Sequence, residues 1–166
     1  MQVYFIRHAI AVPGGAPGVV DDASRSLTRE GIVKMRKQAA GLVSMGIKLN
    51  QIWTSPYTRA RQTAEIIAEA FEMAVSPRPL DALAPGGLFD KTFDMLASHA
   101  KLKEVALIGH EPDLSETISR LLTGMPGPFV QLKKGGVACV EIDDFNPPCR
   151  AKLAWLLVPR QLRGLA

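Results

Sequence analysis

The sequence has few of the residues and runs that mark several classes of protein. Its 166 residues include two cysteines, Cys139 and Cys149, which are too few for a disulfide framework and lack the C-x-x-C spacing of a metal site. We expect both to be reduced thiols that pack inside the fold. The longest apolar runs are far shorter than the roughly 20 residues that span a bilayer, so the sequence predicts no membrane segment. Because the first residues lack the pattern of a secretory signal, we expect a cytoplasmic location.

Aromatic residues are also scarce, at 6% of the chain. The formal net charge is +4, but the basic residues are spread along the sequence and form no run. Nucleic-acid binding needs clustered cations and aromatic stacking surfaces, so we expect no nucleic-acid partner. Asp21 and Asp22 are adjacent, but no further carboxylates cluster around them. We therefore assign this pair a structural role with Arg25 and predict no metal site.

What the sequence does contain is the composition of one folded domain. Hydrophobic residues account for 47% of the chain and charged residues for 22%, which is typical of a globular protein and excludes disorder as the main state. A chain of this length is expected to bury one core. We predict one domain over residues 1–159, followed by a C-terminal tail over residues 160–166.

Strand-like and helix-like segments alternate along the chain. Short β-prone runs predict strands at residues 3–6, 51–54, 75–79, 105–108, 136–142 and 152–158. Apolar residues at helical spacing predict helices at residues 28–45, 56–71, 88–100 and 113–122, with Ser55 and Asp113 as N-terminal caps of the second and fourth. This alternation indicates a single three-layer α/β/α domain with a mostly parallel sheet, in which the last two strands form an antiparallel pair.

Three of these segments bring related residues to one edge of the predicted sheet. Arg7 and His8 directly follow the first strand, and His110 follows the fourth. Arg59 lies in the first turn of the second helix, where side chains lean back toward the start of the helix. Ligands of open α/β sheets bind at the carboxyl ends of the strands. Because guanidinium groups hold phosphate oxygens and a neutral imidazole can attack phosphorus, the sequence predicts a phosphoryl-transfer site.

Taken singly, each of these residues has an ordinary structural explanation. A histidine after a strand is commonly packed or at the surface, and Arg59 lies close to Arg61 in a segment where arginine is a good helix former. Their convergence from three separate segments favours the functional interpretation. The basic residues near the end of the chain are interpreted as solvated charge, with contact to an acidic protein partner as the alternative. They are Lys133, Lys134, Arg160 and Arg163.

The sequence at these positions resembles a known family. I-R-H-A at residues 6–9, T-S-P-Y-T-R-A-R-Q-T-A at residues 54–64 and I-G-H-E at residues 108–111 are similar to three signatures of the histidine phosphatase superfamily, also called phosphoglycerate mutase-like. D-A-S-R-S-L-T-R-E-G at residues 22–31 resembles the D-x-x-R-x-L-T-x-x-G segment of its short branch, the SixA-type phosphohistidine phosphatases. The resemblance extends from residue 2 to about 158. It implies a phosphoglycerate mutase-like fold and a histidine phosphatase domain.

The resemblance also implies a role for each candidate residue. His8 is expected to be the nucleophile that forms a phosphohistidine intermediate, Arg7 and Arg59 to clamp the phosphoryl group, and His110 to hydrogen-bond and stabilise it. Arginines can neutralise the charge on the phosphoryl oxygens without magnesium, so no cofactor is expected. His8 must be neutral to attack, whereas a positive charge on His110 strengthens the clamp. We therefore expect the two imidazoles to have different pKa values.

Two carboxylates are candidates for the general acid. Asp81, in L-D-A-L at residues 80–83, is nearest by position to the glutamate that the family uses, and Glu111 follows His110 as in members that carry an acid there. Each also has a structural alternative, Asp81 as the end of a loop and Glu111 as part of a turn. Ala9 replaces the family's usual glycine after the nucleophile, and its methyl group is expected to narrow the pocket.

The spacing of the motifs bears on the substrate. The segment from Arg59 to His110 already has to hold a helix, an edge strand, another helix and a strand, so it leaves little chain for a lid over a small molecule. We therefore predict a metal-independent phosphatase that removes the phosphoryl group from phosphohistidine on a protein, such as a phosphotransfer domain. The alternatives are a small-molecule phosphomonoesterase of the same superfamily and a catalytically inactive phosphate-binding module.

Overall fold

The computed structural model describes residues 1–127, 129–147 and 149–166. Over these residues the chain forms six strands, which are β1 (Gln2–Arg7), β2 (Gln51–Thr54), β3 (Arg78–Pro79), β4 (Glu104–Gly109), β5 (Val137–Asp144) and β6 (Arg150–Leu157). The same residues form five helices, which are α1 (Arg29–Ser44), α2 (Thr58–Ala70), α3 (Phe89–Ser98), α4 (Asp113–Thr123) and α5 (Pro159–Arg163), and a 3-10 turn covers Asp81–Leu83. None of the helices in this described part is long and apolar enough to cross a membrane.

The strands form one sheet in the order β3-β2-β4-β1-β5-β6. The first four strands pair in parallel, whereas β5 runs antiparallel to β1 and β6 antiparallel to β5. This arrangement confirms the predicted mostly parallel sheet. β3 covers only two residues of the predicted strand 75–79 and lies at the edge, where prolines are tolerated. The register places Arg7 opposite Gly109, so His8 and His110 leave the sheet at the same edge.

Two apolar layers cover the sheet, because alternate residues of each strand point to opposite faces. In β1, Tyr4 and Ile6 pack with residues of α1, α2 and α5. Val3 and Phe5 pack on the other face with residues of α3 and α4. The predicted three-layer α/β/α fold is therefore confirmed.

The C-terminal segment is more ordered than a tail. Residues 159–163 form α5, which overlaps the predicted tail of residues 160–166, and its Leu162 is fully buried against the layer that contains α1. This close approach requires Gly41 of α1, because a Cβ atom there would lie 2.0 Å from the carbonyl oxygen of Leu162. The end of the chain therefore folds onto the first apolar layer.

The two predicted helix caps are wrong. α2 begins after Tyr57, and the hydroxyl of Ser55 makes a hydrogen bond with His110. α4 begins at Asp113, whose carboxylate accepts a 3.1 Å hydrogen bond from the backbone N–H of Gly86 and does not cap its own helix. In both cases a tertiary contact engages the side chain that the local pattern assigned to a cap.

Candidate active site

His8 follows the carboxyl end of β1 and is buried, with 6% of its surface exposed. Its backbone N–H donates to the carbonyl oxygen of Gly109 on β4 at 3.1 Å, which fixes where the side chain begins. The ring Nδ1 lies 2.7 Å from the carbonyl oxygen of Ala9. Because a carbonyl oxygen only accepts hydrogen bonds, we assign the ring proton to Nδ1 and a free electron pair to Nε2. In this tautomer Nε2 can act as a nucleophile.

Arg59 faces that electron pair. Its Nε donates a 3.2 Å hydrogen bond to Nε2 of His8. Its two terminal nitrogens are held by Asp22, since Nη1 donates to the backbone carbonyl at 2.5 Å and Nη2 to the carboxylate at 2.8 Å. Asp22 also accepts a 2.6 Å hydrogen bond from Arg25, which is the predicted structural pairing. The loop before α1 therefore fixes the guanidinium of Arg59 against His8.

His110 packs beside His8, with ring centroids 5.1 Å apart. Its Nε2 lies 2.8 Å from the hydroxyl oxygen of Ser55, which already accepts the N–H of Tyr57 at 3.2 Å. Among the described residues, Nε2 of His110 is the one acceptor that the hydroxyl proton of Ser55 finds, so we assign that proton to the bond with Nε2 and the ring proton of His110 to Nδ1. Nδ1 is buried and has no hydrogen-bond partner among the described residues. It is a donor available to an oxygen atom of a phosphoryl group.

Arg7 ends β1, and the loop before β5 anchors its guanidinium. Nη1 donates to the carbonyl oxygen of Leu132 at 2.8 Å. The N–H of Leu132 donates in turn to Oε1 of Glu111 at 3.2 Å, so this carboxylate supports the loop that holds Arg7. The Nε of Arg7 is buried and has no partner within the described part of the chain. Burial lowers the pKa of Arg7, and the negative charge of Glu111 opposes this effect.

Four of the predicted site residues are therefore brought together at the carboxyl edge of the sheet. His8 presents a nucleophilic nitrogen, while Arg7, Arg59 and His110 present N–H donors. The positive charges of both arginines lower the pKa of each imidazole. Phosphoryl oxygens accept charge-assisted hydrogen bonds from such donors, so this arrangement is suited to binding and transferring a phosphoryl group.

The sequence relatives of this chain agree with that chemistry. Residues 3–84, which include Arg7, His8 and Arg59, match the sequence profile of the histidine phosphatase superfamily (branch 1). An uncharacterized protein of a Picosynechococcus strain is 37% identical over 142 residues, which cover 82% of each chain. The chain belongs to the histidine phosphatase superfamily. Its histidine phosphatase relatives include the phosphohistidine phosphatase SixA of Escherichia coli strain K12, 27% identical over 165 residues that cover 93% of this chain and 98% of SixA.

The fold of this histidine phosphatase agrees with the relationship. The solved structure of the protein histidine phosphatase SixA in complex with tungstate matches it with a TM-score of 0.85 and 25% identity. The match covers 98% of this chain and 99% of that chain. The domain therefore has the phosphoglycerate mutase-like fold, and family and fold together support a phosphatase.

Burial and neighbouring cations lower the pKa values of both histidines in the histidine phosphatase site. Burial, together with the charges of Arg59 and Arg7, lowers the pKa of His8 from 6.5 to about 4. Burial also lowers the pKa of His110 from 6.5 to about 3, with contributions from His8 and the two arginines. Both pKa values are lowered in the same direction, so the expectation that the two imidazoles have different pKa values is not confirmed, and both rings are neutral at pH 7 in the absence of a phosphoryl group. A neutral His110 still donates through Nδ1.

These pKa values predict how stability depends on pH. The two histidines bind protons less readily in the folded protein than in the unfolded chain. Their contribution to the free energy of unfolding is therefore fully present above pH 6.5 and is lost as the pH falls toward their pKa values in the folded protein. We expect the free energy of unfolding to fall by about 2 kcal/mol per histidine between pH 6.5 and pH 5. Urea denaturation at several pH values measures this change. The decrease should be smaller in His110→Gln, and an equal decrease in both proteins would contradict the assignment.

The two candidate general acids have surroundings of their own. Glu111 is half-buried, and its Oε1 accepts hydrogen bonds from the hydroxyl of Ser115 at 2.7 Å and from the N–H of Leu132. Asp81 is exposed in the 3-10 turn after β3. Among the described residues, no hydrogen bond joins either carboxylate to His8 or His110. Both therefore remain candidates, and Glu111 has a structural role in addition.

Sequence reasoning missed the roles of Asp22 and Ser55. Asp22 holds both terminal nitrogens of Arg59, and Ser55 orients the ring of His110. A signal for both existed, because they lie in the segments 22–31 and 54–64 that carry the family resemblance. Hydrogen bonds from Arg25, with a smaller contribution from Arg59, hold the pKa of Asp22 below its ordinary value. Asp22 is therefore an anion that positions Arg59 and is not suited to donate a proton.

The positive charge of the site comes from side chains. Within the residues that the structure describes, no group of three or more histidine, cysteine, aspartate or glutamate side chains is placed to hold a metal ion. Cys139 and Cys149 are both free thiols, and burial raises the pKa of Cys139 to about 12. Cys139 is therefore a packed, protonated thiol and not a ligand.

Proposed function

We propose that this protein hydrolyses phosphohistidine on another protein, with His8 carrying the phosphoryl group between two half-reactions. The observation that carries the proposal is the contact at Nε2 of His8, which accepts a hydrogen bond from Nε of Arg59 at 3.2 Å and is unprotonated in the assigned tautomer. Nε of Arg7 and Nδ1 of His110 are buried donors without partners among the described residues. A phosphoryl group against Nε2 would therefore find donors from three side chains.

In the first half-reaction, the electron pair of His8 Nε2 attacks phosphorus and an N–P bond forms. The N–P bond to the substrate histidine breaks, and its electron pair stays with the leaving imidazole, which takes a proton from solvent or an acid. Arg7, Arg59 and His110 stabilise the negative charge on the outer oxygens during this step. Because these donors are held in place before the substrate arrives, little reorganisation is needed at the moment of transfer.

In the second half-reaction, a water molecule attacks the phosphorus of phosphorylated His8. An O–P bond forms, and the electron pair of the breaking N–P bond returns to Nε2. The water gives a proton to solvent or to the acid, which replaces the proton that the leaving imidazole took in the first half-reaction. The products are inorganic phosphate and neutral His8. The carbonyl oxygen of Ala9 accepts the Nδ1 proton of His8 at 2.7 Å, so the ring keeps the orientation in which Nε2 serves first as nucleophile and then as leaving group.

Two observations support a protein as the substrate. The chain between Arg59 and His110 is used for the rest of α2, β3, the 3-10 turn, α3 and β4, so it supplies little chain for a lid that would enclose a small molecule. The Escherichia coli relative is named phosphohistidine phosphatase SixA. The solved SixA structure holds tungstate, a tetrahedral oxyanion like phosphate, so that relative binds an anion of the expected shape. A phosphotransfer domain is one example of a protein that carries phosphohistidine.

The test is a phosphate-release assay on a panel of substrates. A phosphotransfer domain phosphorylated on histidine is compared with sugar phosphates, nucleotides and an aryl phosphate, each with and without EDTA. We expect the highest kcat/KM on the phosphorylated domain and no effect of EDTA, because the arginines supply the positive charge. A preference for one small phosphate ester would favour a small-molecule phosphomonoesterase. No turnover on any substrate would favour a phosphate-binding module, and rescue of activity by magnesium would contradict metal independence.

The candidate acids give a second prediction about the substrate. A leaving imidazole has a pKa of about 6.5 when free and can be protonated by solvent, whereas an alkoxide needs a placed acid worth roughly 10² to 10⁴ in rate. We expect Asp81→Asn and Glu111→Gln each to change kcat on the phosphorylated domain by less than about threefold, while at least one lowers the rate on aryl phosphate by about 10². Parallel rate measurements on both substrates check this. Loss of phosphohistidine hydrolysis in either variant would favour the small-molecule function.

A further inference from the structure

A groove lies beside the active site and begins at Arg7. It encloses about 480 Å³ between α1, the loop before β5, and α5. Arg7 and Ala9, which flank His8 in the chain, line one part of it. The rest of the lining includes Lys34, Lys133, Lys134 and Arg163. Four parts of the chain, which are β1, α1, the loop before β5 and α5, therefore contribute basic side chains to one concave surface.

The charge of this basic groove is largely uncompensated. Lys34 pairs with Glu30 on the same helix. Among the described residues, no carboxylate lies within 4.0 Å of the other four cations of the groove, which are Arg7, Lys133, Lys134 and Arg163. A concave surface with one sign of unpaired charge attracts anions and raises their local concentration.

The loop that carries the two lysines is fixed to the nucleophile. Gly135 donates its backbone N–H to the carbonyl oxygens of Arg7 and His8, at 3.0 and 3.2 Å. On the other side of the lysines, the carbonyl oxygen of Leu132 accepts from Arg7. Lys134 is close enough for its charge to contribute to the lowered pKa of His8. An anion held in the basic groove is therefore held at a defined position relative to the reacting nitrogen.

We propose that the basic groove docks an acidic surface of the protein that presents the phosphohistidine. This inference rests on the proposed function and adds the chemistry by which the partner is recognised. A protein surface suits the groove because its cations are spread over four parts of the chain and because Lys133 and Lys134 are exposed, with long, flexible side chains. Several carboxylates of a folded partner can pair with such a spread of charges. The contact brings the phosphoryl group to Arg7, where the groove and the active site meet.

The experiment reverses two charges in the groove and compares substrates of different size. The Lys133→Glu, Arg163→Glu variant is assayed on an acidic phosphotransfer domain phosphorylated on histidine, and on free phosphohistidine. The matched control, Lys101→Glu with Lys103→Glu, makes the same change in net charge at residues just before β4, at the opposite edge of the sheet. Thermal unfolding of the three proteins checks that they remain folded.

We expect kcat/KM of the groove variant on the phosphorylated domain to fall about tenfold at low salt, mainly through KM. Its activity on free phosphohistidine and the activities of the control should stay within about twofold of the wild type. Added salt should lower kcat/KM of the wild-type protein on the domain more than on free phosphohistidine. This salt comparison needs no variant and tests the same charge attraction.

Three results would overturn the inference. The first is equal kcat/KM values for the groove variant and the wild type on the domain. The second is an equal loss of kcat/KM by the groove variant on the domain and on free phosphohistidine. The third, measured with small bisphosphates as additional substrates, is a loss of kcat/KM by the groove variant on those bisphosphates alone. The last would assign the groove to a second phosphate of a small molecule. In each of these cases the proposed function stands if the wild type hydrolyses phosphohistidine on the domain. If the wild type is inactive on the domain but active on small phosphate esters, the proposed function itself fails.

Discussion

The His8→Ala variant is expected to lose turnover by about 10⁴-fold or more and to form no phosphoenzyme. Nε2 of His8 is unprotonated and accepts a 3.2 Å hydrogen bond from Nε of Arg59. We do not expect His110 to replace it, because the ring proton of His110 is assigned to Nδ1 and its Nε2 faces Ser55, whereas Nε2 of His8 faces the arginine that would hold the phosphoryl group. Rapid quenching at alkaline pH followed by intact mass measurement detects the phosphoenzyme, and phosphate release measures turnover.

His99→Ala is the matched control for that variant. His99 lies at the end of α3, with its ring 5.0 Å from that of Trp53, away from the edge that holds the site. Its substitution should leave both turnover and phosphoenzyme within about twofold of the wild type. A phosphoenzyme that persists in His8→Ala would show that another group is the nucleophile. The assignment of His110 as an unreactive neighbour would then be the first to be revised.

Arg59→Ala is expected to cost about 3 kcal/mol of transition-state stabilisation, or roughly 10² in kcat/KM. The guanidinium is 4% exposed and fixed by Asp22, so its charge reaches the phosphoryl oxygens with little loss to solvent. Arg59→Lys keeps a charge but loses the planar fork, and it should recover only part of the rate. Steady-state kinetics on a phosphorylated domain measure both variants.

Arg61→Ala provides the control on the same helix. Arg61 is exposed and two residues from Arg59, and its removal is expected to change kcat/KM by less than about twofold. Asp22→Asn should cause a loss between those of the two alanine variants, because one carbonyl contact to Arg59 is on the backbone and survives. A near-normal rate in Arg59→Ala would remove this arginine from the mechanism.

The hydrogen bonds of Arg59 also limit how it can bind a phosphoryl group. Both terminal nitrogens already donate to Asp22, so in this arrangement Nε is the nitrogen that faces the nucleophile. A fork-like grip by Arg59 on two phosphoryl oxygens would require one contact to Asp22 to break. Arg7 has the complementary arrangement, since Nη1 is anchored and Nε is unpartnered among the described residues. Arg59 is therefore anchored through both terminal nitrogens and Arg7 through Nη1, and in each arginine we expect Nε to be the nitrogen available to a phosphoryl oxygen.

Most of the fold was predictable because strong local patterns agreed with the tertiary arrangement. The apolar runs ending at Arg7 and at His110 correspond to β1 and β4, which are buried on both faces, as continuous apolar strands of a parallel sheet are. The prolines of segment 75–79 correctly indicated an edge strand. Since strand ends and a helix start define one edge of the sheet, the meeting of His8, Arg59 and His110 was predictable as well.

The wrong predictions concern side chains with more than one possible partner. Ser55 and Asp113 have the residue types and spacing of helix caps, yet their polar groups bind His110 and the Gly86 N–H. A local sequence pattern predicts hydrogen bonds only between residues that are close in the chain, and it contains no information about a partner more than 25 residues away. The order within residues 160–166 likewise depends on a remote contact, because the burial of Leu162 requires the close approach that Gly41 permits.

Two histidines and two arginines at strand ends and a helix start are enough to predict a phosphoryl site from the amino-acid sequence. The protonation and orientation of those groups depend on the folded arrangement around them. Burial beside cations makes both His8 and His110 neutral, and the Ala9 carbonyl and the Ser55 hydroxyl select their tautomers. The folded arrangement also gathers Lys34, the 133–134 loop and α5 into one basic groove. Desolvation and through-space charge depend on distances between remote segments, and a linear sequence does not contain those distances.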